Sequence, residues 1–256
     1  MMNRAITTIA RFTFYEAMRN RLFLLTLAGL ICVLGLTEFV GELAVSEALQ
    51  FQAIVIGAGM RLFAIVTIAL FVITSVVREF NDKGFDLIVS LSLPRSSYYL
   101  GKFFGFLMLA LVIVLSTGLL LLLYSEFAPV LLWQLSLLCE LAIIITLSLL
   151  CLFTFSNVTV AFVVVLGFYI LARSMHTIQL ISHSPILEYL DFSQQFIRFV
   201  TDAIAFLLPD LHVFTQSQWL AYGAGWSELY PVLGQSLSYI VLLGAAGLFD
   251  LYRKNL

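Results

Sequence analysis

Six stretches of this chain, about 22–40, 53–77, 101–124, 130–155, 158–173 and 232–250, run on with almost no charge. A helix needs roughly 20 mostly apolar residues to cross a bilayer. Inside lipid, every backbone polar group must be satisfied within the spanning structure itself. The expected fold class is therefore an all-α integral membrane protein with six transmembrane helices, and residues 1–256 form a single transmembrane domain. The fifth stretch is short and is expected to continue past Arg173. Only Ser156 and Asn157 separate it from the fourth, as in a tight helical hairpin. Composition agrees: 62% of residues are hydrophobic and 11% charged, where a soluble domain carries about 25% charged. A soluble enzyme, a disordered tail and a nucleic-acid binder are excluded on that ground.

Charge placement sets the topology. Of thirteen Lys and Arg, ten fall on one face of the six-span arrangement. Arg4, Arg11, Arg19 and Arg21 precede span one. Arg78, Lys83, Arg95 and Lys102 flank the loop after span two, and Arg253 and Lys254 end the chain. Arg173 and Arg198 lie on the other face, with Arg61 inside a span. The positive-inside rule then puts both termini in the cytoplasm. The first basic–apolar run mimics a secretion signal but lacks a small-x-small cleavage site, so it reads as a retained span.

Three segments outside the spans carry pattern. Residues 1–21 are expected to form an elbow helix. Ile6, Ile9, Ala10, Thr13, Phe14, Ala17 and Met18 share one face; Arg4, Thr8, Arg11, Tyr15 and Arg19 share the opposite one. Such a helix lies in the membrane interface with its arginines near anionic headgroups; the alternative is a plain extension of span one. Residues 78–100 form a cytoplasmic loop, charged at both ends by Arg78, Glu79, Asp82, Lys83, Asp86 and Arg95, with apolar Leu87–Leu93 between. Pro94 closes that run. An apolar cytoplasmic patch either docks another protein or folds back under its own bundle. Residues 174–231 form a long extracytoplasmic amphipathic region. Within it Ile186–Leu208 reads as one or two amphipathic helices, and Trp219, Tyr222, Trp226 and Tyr230 as an aromatic belt.

Taken in order, these features resemble the permease subunits of ABC-2 type transporters. The resemblance lies in an elbow carrying Arg11–Arg21, then Arg78-Glu79, Gly84, the leucine-rich stretch, Pro94-Arg95 and Tyr99-Leu100-Gly101-Lys102. It continues in Leu208-Pro209 and the closing Phe249–Lys254. The chain is most similar to the single-domain group that includes the nitrous-oxide-reductase maturation permease. The resemblance implies a type V exporter-like fold in a bacterial inner membrane. It also implies an ATPase-coupling role for the loop, carried here by Arg78, Glu79, Asp82, Lys83, Gly84, Asp86, Pro94 and Arg95.

No G-x-x-x-x-G-K-[ST] occurs in the chain. ATP and Mg are therefore expected on two copies of a separate ATPase subunit, and this chain is expected to bind no cofactor and to be no enzyme. A six-span half also implies a second copy of itself about a two-fold axis.

Inside the spans, Arg61 lies eight residues below the outer end of span two and Glu140 ten below that of span four. At about 1.5 Å per residue, both sit deep enough that an unpaired charge is costly. The two form a structural ion pair, line a gate or substrate contact, or do not meet. His176, His183 and His212 match no metal spacing, and Cys32, Cys139 and Cys151 read as small apolar residues. Gly101-x-x-x-Gly105 permits close helix approach. The expected function is the membrane half of an exporter for a lipid or other amphiphile. The alternative is a mechanotransmission subunit that passes the ATPase stroke to a periplasmic partner on 174–231 and transports nothing.

Overall fold

The computed structural model describes residues 2–43, 48–81, 94–155, 157–183 and 192–253. Among these residues the fold is all-α with no strand. In chain order the helices are α1 Met2–Arg19, α2 Arg21–Leu43, α3 Ala48–Asn81, α4 Arg95–Leu121 and α5 Phe127–Thr154. They continue as α6 Val158–His183, α7 Phe192–Leu207, α8 Gln218–Tyr222 and, after a 3-10 turn at Trp226–Glu228, α9 Leu229–Arg253. Five of these helices (α3, α4, α5, α6 and α9) are long and apolar enough to cross a membrane, or six if bent α1–α2 counts as one more. The chain is an integral membrane protein.

The central helix is α5. Its sequence is apolar all round, the pattern of a helix surrounded by protein. It packs against α3, α4, α6 and α9, and 78% of its most apolar window is buried, against 28% for α6 and 22% for α9. Lipid tails are as apolar as leucine, so close packing rather than water exclusion holds such helices together. Trp133, Leu137, Leu141 and Ile144 on α5 supply that packing with Phe71 and Ile68 of α3 and Phe106 and Leu109 of α4. The apolar faces that α6 and α9 leave open suit lipid or a second protein.

The predicted faces of α1 are those of the structure. Ala10, Thr13 and Ala17 are buried, while Arg4, Thr8, Arg11, Tyr15 and Arg19 are exposed. A bend of 58° at Asn20 sets α1 apart from α2, so it is no straight extension of the first span. The Asn20 side chain accepts from the Leu22 N–H at 3.2 Å and starts the new helix. Helix α1 lies on α4, and Gly101 and Gly105 make room for it. A Cβ on Gly101 would stand 2.7 Å from Ile9, and one on Gly105 would stand 2.6 Å from Thr13. The small-residue pair seats the elbow, not another span.

Two boundaries differ from the sequence expectation. Residues 78–81 belong to α3 and 95–100 to α4, so the loop 78–100 is shorter at both ends than its charges suggested. Pro94 has φ −65° and ψ 136° and stands immediately before α4, where its missing N–H costs nothing. In the region 174–231, residues 174–183 complete α6 and 229–231 open α9. Asp202 of α7 bonds Gln179 and His183 of α6, and the Arg198 Nε donates to the Ser182 carbonyl at 2.9 Å.

Candidate functional site: two charged clusters

The first cluster stands at the end of the bundle where α3 stops, α4 starts and α9 stops, which we term the basic end. Glu79 is in the last turn of α3, half-buried, and its carboxylate meets Lys102 of α4 at 2.6 Å. The Tyr98 hydroxyl donates to the same oxygen at 3.1 Å. The Lys102 side chain is only 5% exposed, so the pair is internal to the bundle. Arg95 Nη1 donates to the carbonyls of Leu251 and Tyr252 at 2.9 and 3.1 Å. These are the unsatisfied last carbonyls of α9, where a cation also suits the helix dipole. On neighbouring helices Ser75 bonds Glu16 at 3.1 Å, and Thr154 bonds Asp250 at 2.6 Å. Arg78 is exposed and turned toward the α1–α2 corner. Asp82, Lys83, Gly84 and Asp86 lie outside the described residues.

The second cluster is buried at mid-bundle. Glu140 lies thirteen residues after Phe127 and fourteen before Thr154, about 20 Å from either end of α5. Arg61 of α3 reaches the same place, but the two are joined through a third residue. Arg61 Nη1 donates to the Thr215 carbonyl at 2.8 Å, and the Thr215 hydroxyl donates to Glu140. The ion pair to Glu140 comes from Arg173 of α6, at 3.9 Å. Arg173 also donates to the carbonyls of Leu211 and Phe214. Tyr169 stands beside Glu140. Arg61 Nε is buried with no hydrogen-bond partner among the described residues.

Thr215 is the keystone. Its φ is +46°, a left-handed conformation that costs a β-branched residue about 1–3 kcal/mol. All three of its polar groups are held: the N–H donates to Ser136 Oγ at 2.8 Å, the carbonyl takes Arg61 and the hydroxyl gives to Glu140. Leu211, Phe214, Trp219 and Leu220 around it are buried. Gly57 of α3 admits α8, since a Cβ there would stand 2.5 Å from Leu220. Residues 208–222 therefore fold into the bundle. Trp219 turns inward, whereas Tyr222, Trp226 and Tyr230 stay exposed as a belt would require.

Sequence reasoning placed Arg61 and Glu140 at one depth but missed Arg173 and Thr215. The expectation that span five runs past Arg173 contained the signal, because a charge within a span needs a partner. Thr215 had none. Glu140 and Thr215 are 0% exposed, and no nucleophile beside a base is open to a substrate here. The cluster orders a backbone segment.

Near it, the rings of His176 and His212 stack at 4.2 Å and 10°. Burial, His176 and Arg173 hold the His212 imidazole below its usual range. No group of three or more His, Cys, Asp or Glu that could hold a metal occurs among the described residues. Compared with known proteins, the chain matched no family model, and no curated protein matched it.

Proposed function

We propose that this chain is the membrane-spanning permease subunit of an ATP-binding-cassette exporter, driven by a separate ATPase and moving a lipid or other amphiphile. The observation that carries the reading is the anchoring of the basic end. The apolar run Leu87–Leu93 is bracketed by Glu79, tied to Lys102 and Tyr98 of α4, and by Arg95, tied to the end of α9. A push delivered between these brackets reaches α3, α4 and α9 together. The basic end would face the cytoplasm, in a bacterial inner membrane, with two ATPase subunits below two copies of this chain. The open apolar faces of α6 and α9 suit a second copy and lipid. Arg78, Asp82, Lys83, Gly84 and Asp86 would set the register of docking. Glu79, Pro94 and Arg95 would hold the bracket.

One observation favours mechanotransmission as the second reading. Residues 208–222 are pinned to α3 by Arg61, to α5 by Ser136 and Glu140, and to α6 by Arg173. A displacement of α3 at Arg78 would travel to Tyr222, Trp226 and Tyr230 at the far end, where a periplasmic partner would bind.

A mild-detergent purification of the tagged chain, with mass spectrometry of what copurifies, tests both. An ATPase subunit alone supports the exporter, and an ATPase with a periplasmic protein supports the second reading. Recovery of the chain with no ATPase sinks the family assignment.

A further inference from the structure

Two atoms of the mid-bundle cluster are left unserved. Glu140 Oε1 and Arg61 Nε are both buried, and neither has a hydrogen-bond partner among the described residues. Both groups face the same residue. Arg61 bonds the Thr215 carbonyl through Nη1, and the Thr215 hydroxyl bonds the other oxygen of Glu140. A buried polar atom without a partner is rare in folded proteins, and one on a charged group is the most costly kind.

Neighbouring side chains offer no direct remedy. Arg173 Nη1 approaches Glu140 Oε1 only to 3.9 Å, beyond hydrogen-bond reach, and it already donates to the carbonyls of Leu211 and Phe214. Tyr169 stands beside the carboxylate without bonding Oε1. Ser97 and Ser148 also carry buried hydroxyls without partners, but a hydroxyl can rotate onto a carbonyl of its own helix. Arg61 and Glu140 have no such freedom, because Thr215 holds each by its other atom. What serves them must accept from a guanidinium N–H and donate to a carboxylate oxygen. A cation would be repelled by two guanidinium groups, and an anion by the carboxylate. Water does both tasks, and it commonly bridges polar groups that stand more than about 3.5 Å apart.

We propose that this cluster is a binding site for internal water, which accepts from Arg61 Nε and donates to Glu140 Oε1. The bundle thereby carries its own solvation to a carboxylate about 20 Å from either end of α5. The site stands apart from the transport proposal, because a chain that exports nothing would need the same water.

The test is X-ray radiolytic footprinting of the full wild-type chain in nanodiscs, read by mass spectrometry, since hydroxyl radicals form only where water is. Phe214 and Phe106 have the same chemistry, and both are 0% exposed. Phe214 adjoins Thr215, whereas Phe106 lies in the apolar packing of α4. Phe214 is expected to be oxidised several-fold faster than Phe106. Mixing into heavy-oxygen water just before the pulse separates held water from bulk. Exposed Phe12 is expected to take the heavy isotope, and Phe214 the light oxygen of water already inside. The proposal is overturned if Phe214 is oxidised no faster than Phe106, which means a dry site. It is overturned too if Phe214 takes the heavy isotope as readily as Phe12, which means an opening to bulk. A density map fine enough to show water is the second measurement. Density within hydrogen-bond reach of both Arg61 Nε and Glu140 Oε1 supports the proposal, and direct bonding of both atoms to protein groups sinks it. Density without oxidation at Phe214 would mark a bound ion and sink it as well.

Discussion

Glu79 and Glu140 are both carboxylates taken out of water in the same bundle, yet they receive their cations differently. Glu79 makes a direct contact of 2.6 Å with Lys102, between two consecutive spans, and stays 17% exposed. Glu140 is sealed; its cation stands 3.9 Å away, and a threonine hydroxyl makes the nearer contact. At the basic end the pair is the unit. At mid-bundle the unit is a backbone segment, 208–222, that several charges hold. Both pairs link helices that already adjoin, α3 with α4 and α5 with α6, so the contrast lies in what stands between the charges. Where a loop must be drawn into the core, the same charges serve its carbonyls instead.

The largest effect that could break this contrast is loss of each acid. Removing one partner of a buried ion pair costs about 3–5 kcal/mol, mostly because the other charge is left behind. Glu140→Leu is expected to approach that cost, since it strands Arg173 and frees Thr215. Glu79→Leu is expected to cost less, because Lys102 can extend its ammonium toward the basic end. Lys102→Met added to Glu79→Leu is expected to recover most of the loss, as a self-contained pair should. Arg173→Met added to Glu140→Leu is expected to recover little, because the Leu211 and Phe214 carbonyls lose their donor as well. Thermal unfolding in detergent, followed by tryptophan fluorescence, measures all four. Equal recovery in both double variants would erase the distinction.

A smaller effect separates strain from bonding at Thr215. Thr215→Val keeps the shape and the left-handed strain but removes the hydroxyl, leaving a buried acceptor short at a cost of about 1–3 kcal/mol. Thr215→Gly removes the same bond but relieves the +46° φ. Glycine is therefore expected to be the milder of the two, by the same unfolding measurement. If valine proved milder, the strain at this position would be negligible and the segment would be held by its charges alone.

How much of this was legible in the sequence follows from what each pattern encodes. Long apolar runs encode spans, and all six are helical; five are long and apolar enough to cross a membrane alone, and the first only together with bent α1. The two faces of α1 were equally plain, since helical spacing alone sorts Ala10, Thr13 and Ala17 from Arg11 and Tyr15. Helix ends near charge were not. Glu79 read as a charge of the loop 78–100 and Lys102 as a cation flanking it, but they neutralise one another inside the helices. Trp219 fitted an aromatic belt by spacing, yet it is buried, on a short helix that meets α3 where Leu220 stands over Gly57. Thr215 follows no pattern, because a left-handed threonine is held by bonds to residues distant in sequence, Arg61, Ser136 and Glu140.

The smallest expected effect is on pH, and it bears on the mid-bundle unit alone. The His212 imidazole stacks on His176 and faces Arg173, with Asp210 the one acid in opposition. Burial, His176 and Arg173 lower its pKa in the folded protein. The folded state then binds fewer protons than the unfolded chain, whose histidines titrate near about 6.5. The contribution of the neutral ring is full above that value and is lost as pH falls from there through the lower folded pKa. Because the ring is partly exposed, solvent screens the effect, and a modest drop in the unfolding midpoint between pH 7 and 5 is expected. His212→Phe, which keeps a stacked ring without the proton, is expected to reduce that drop. An identical pH profile in the variant would assign the acid sensitivity to other groups. A flatter one would show that the segment drawn in by Glu140 is held by a neutral stack beside its charges.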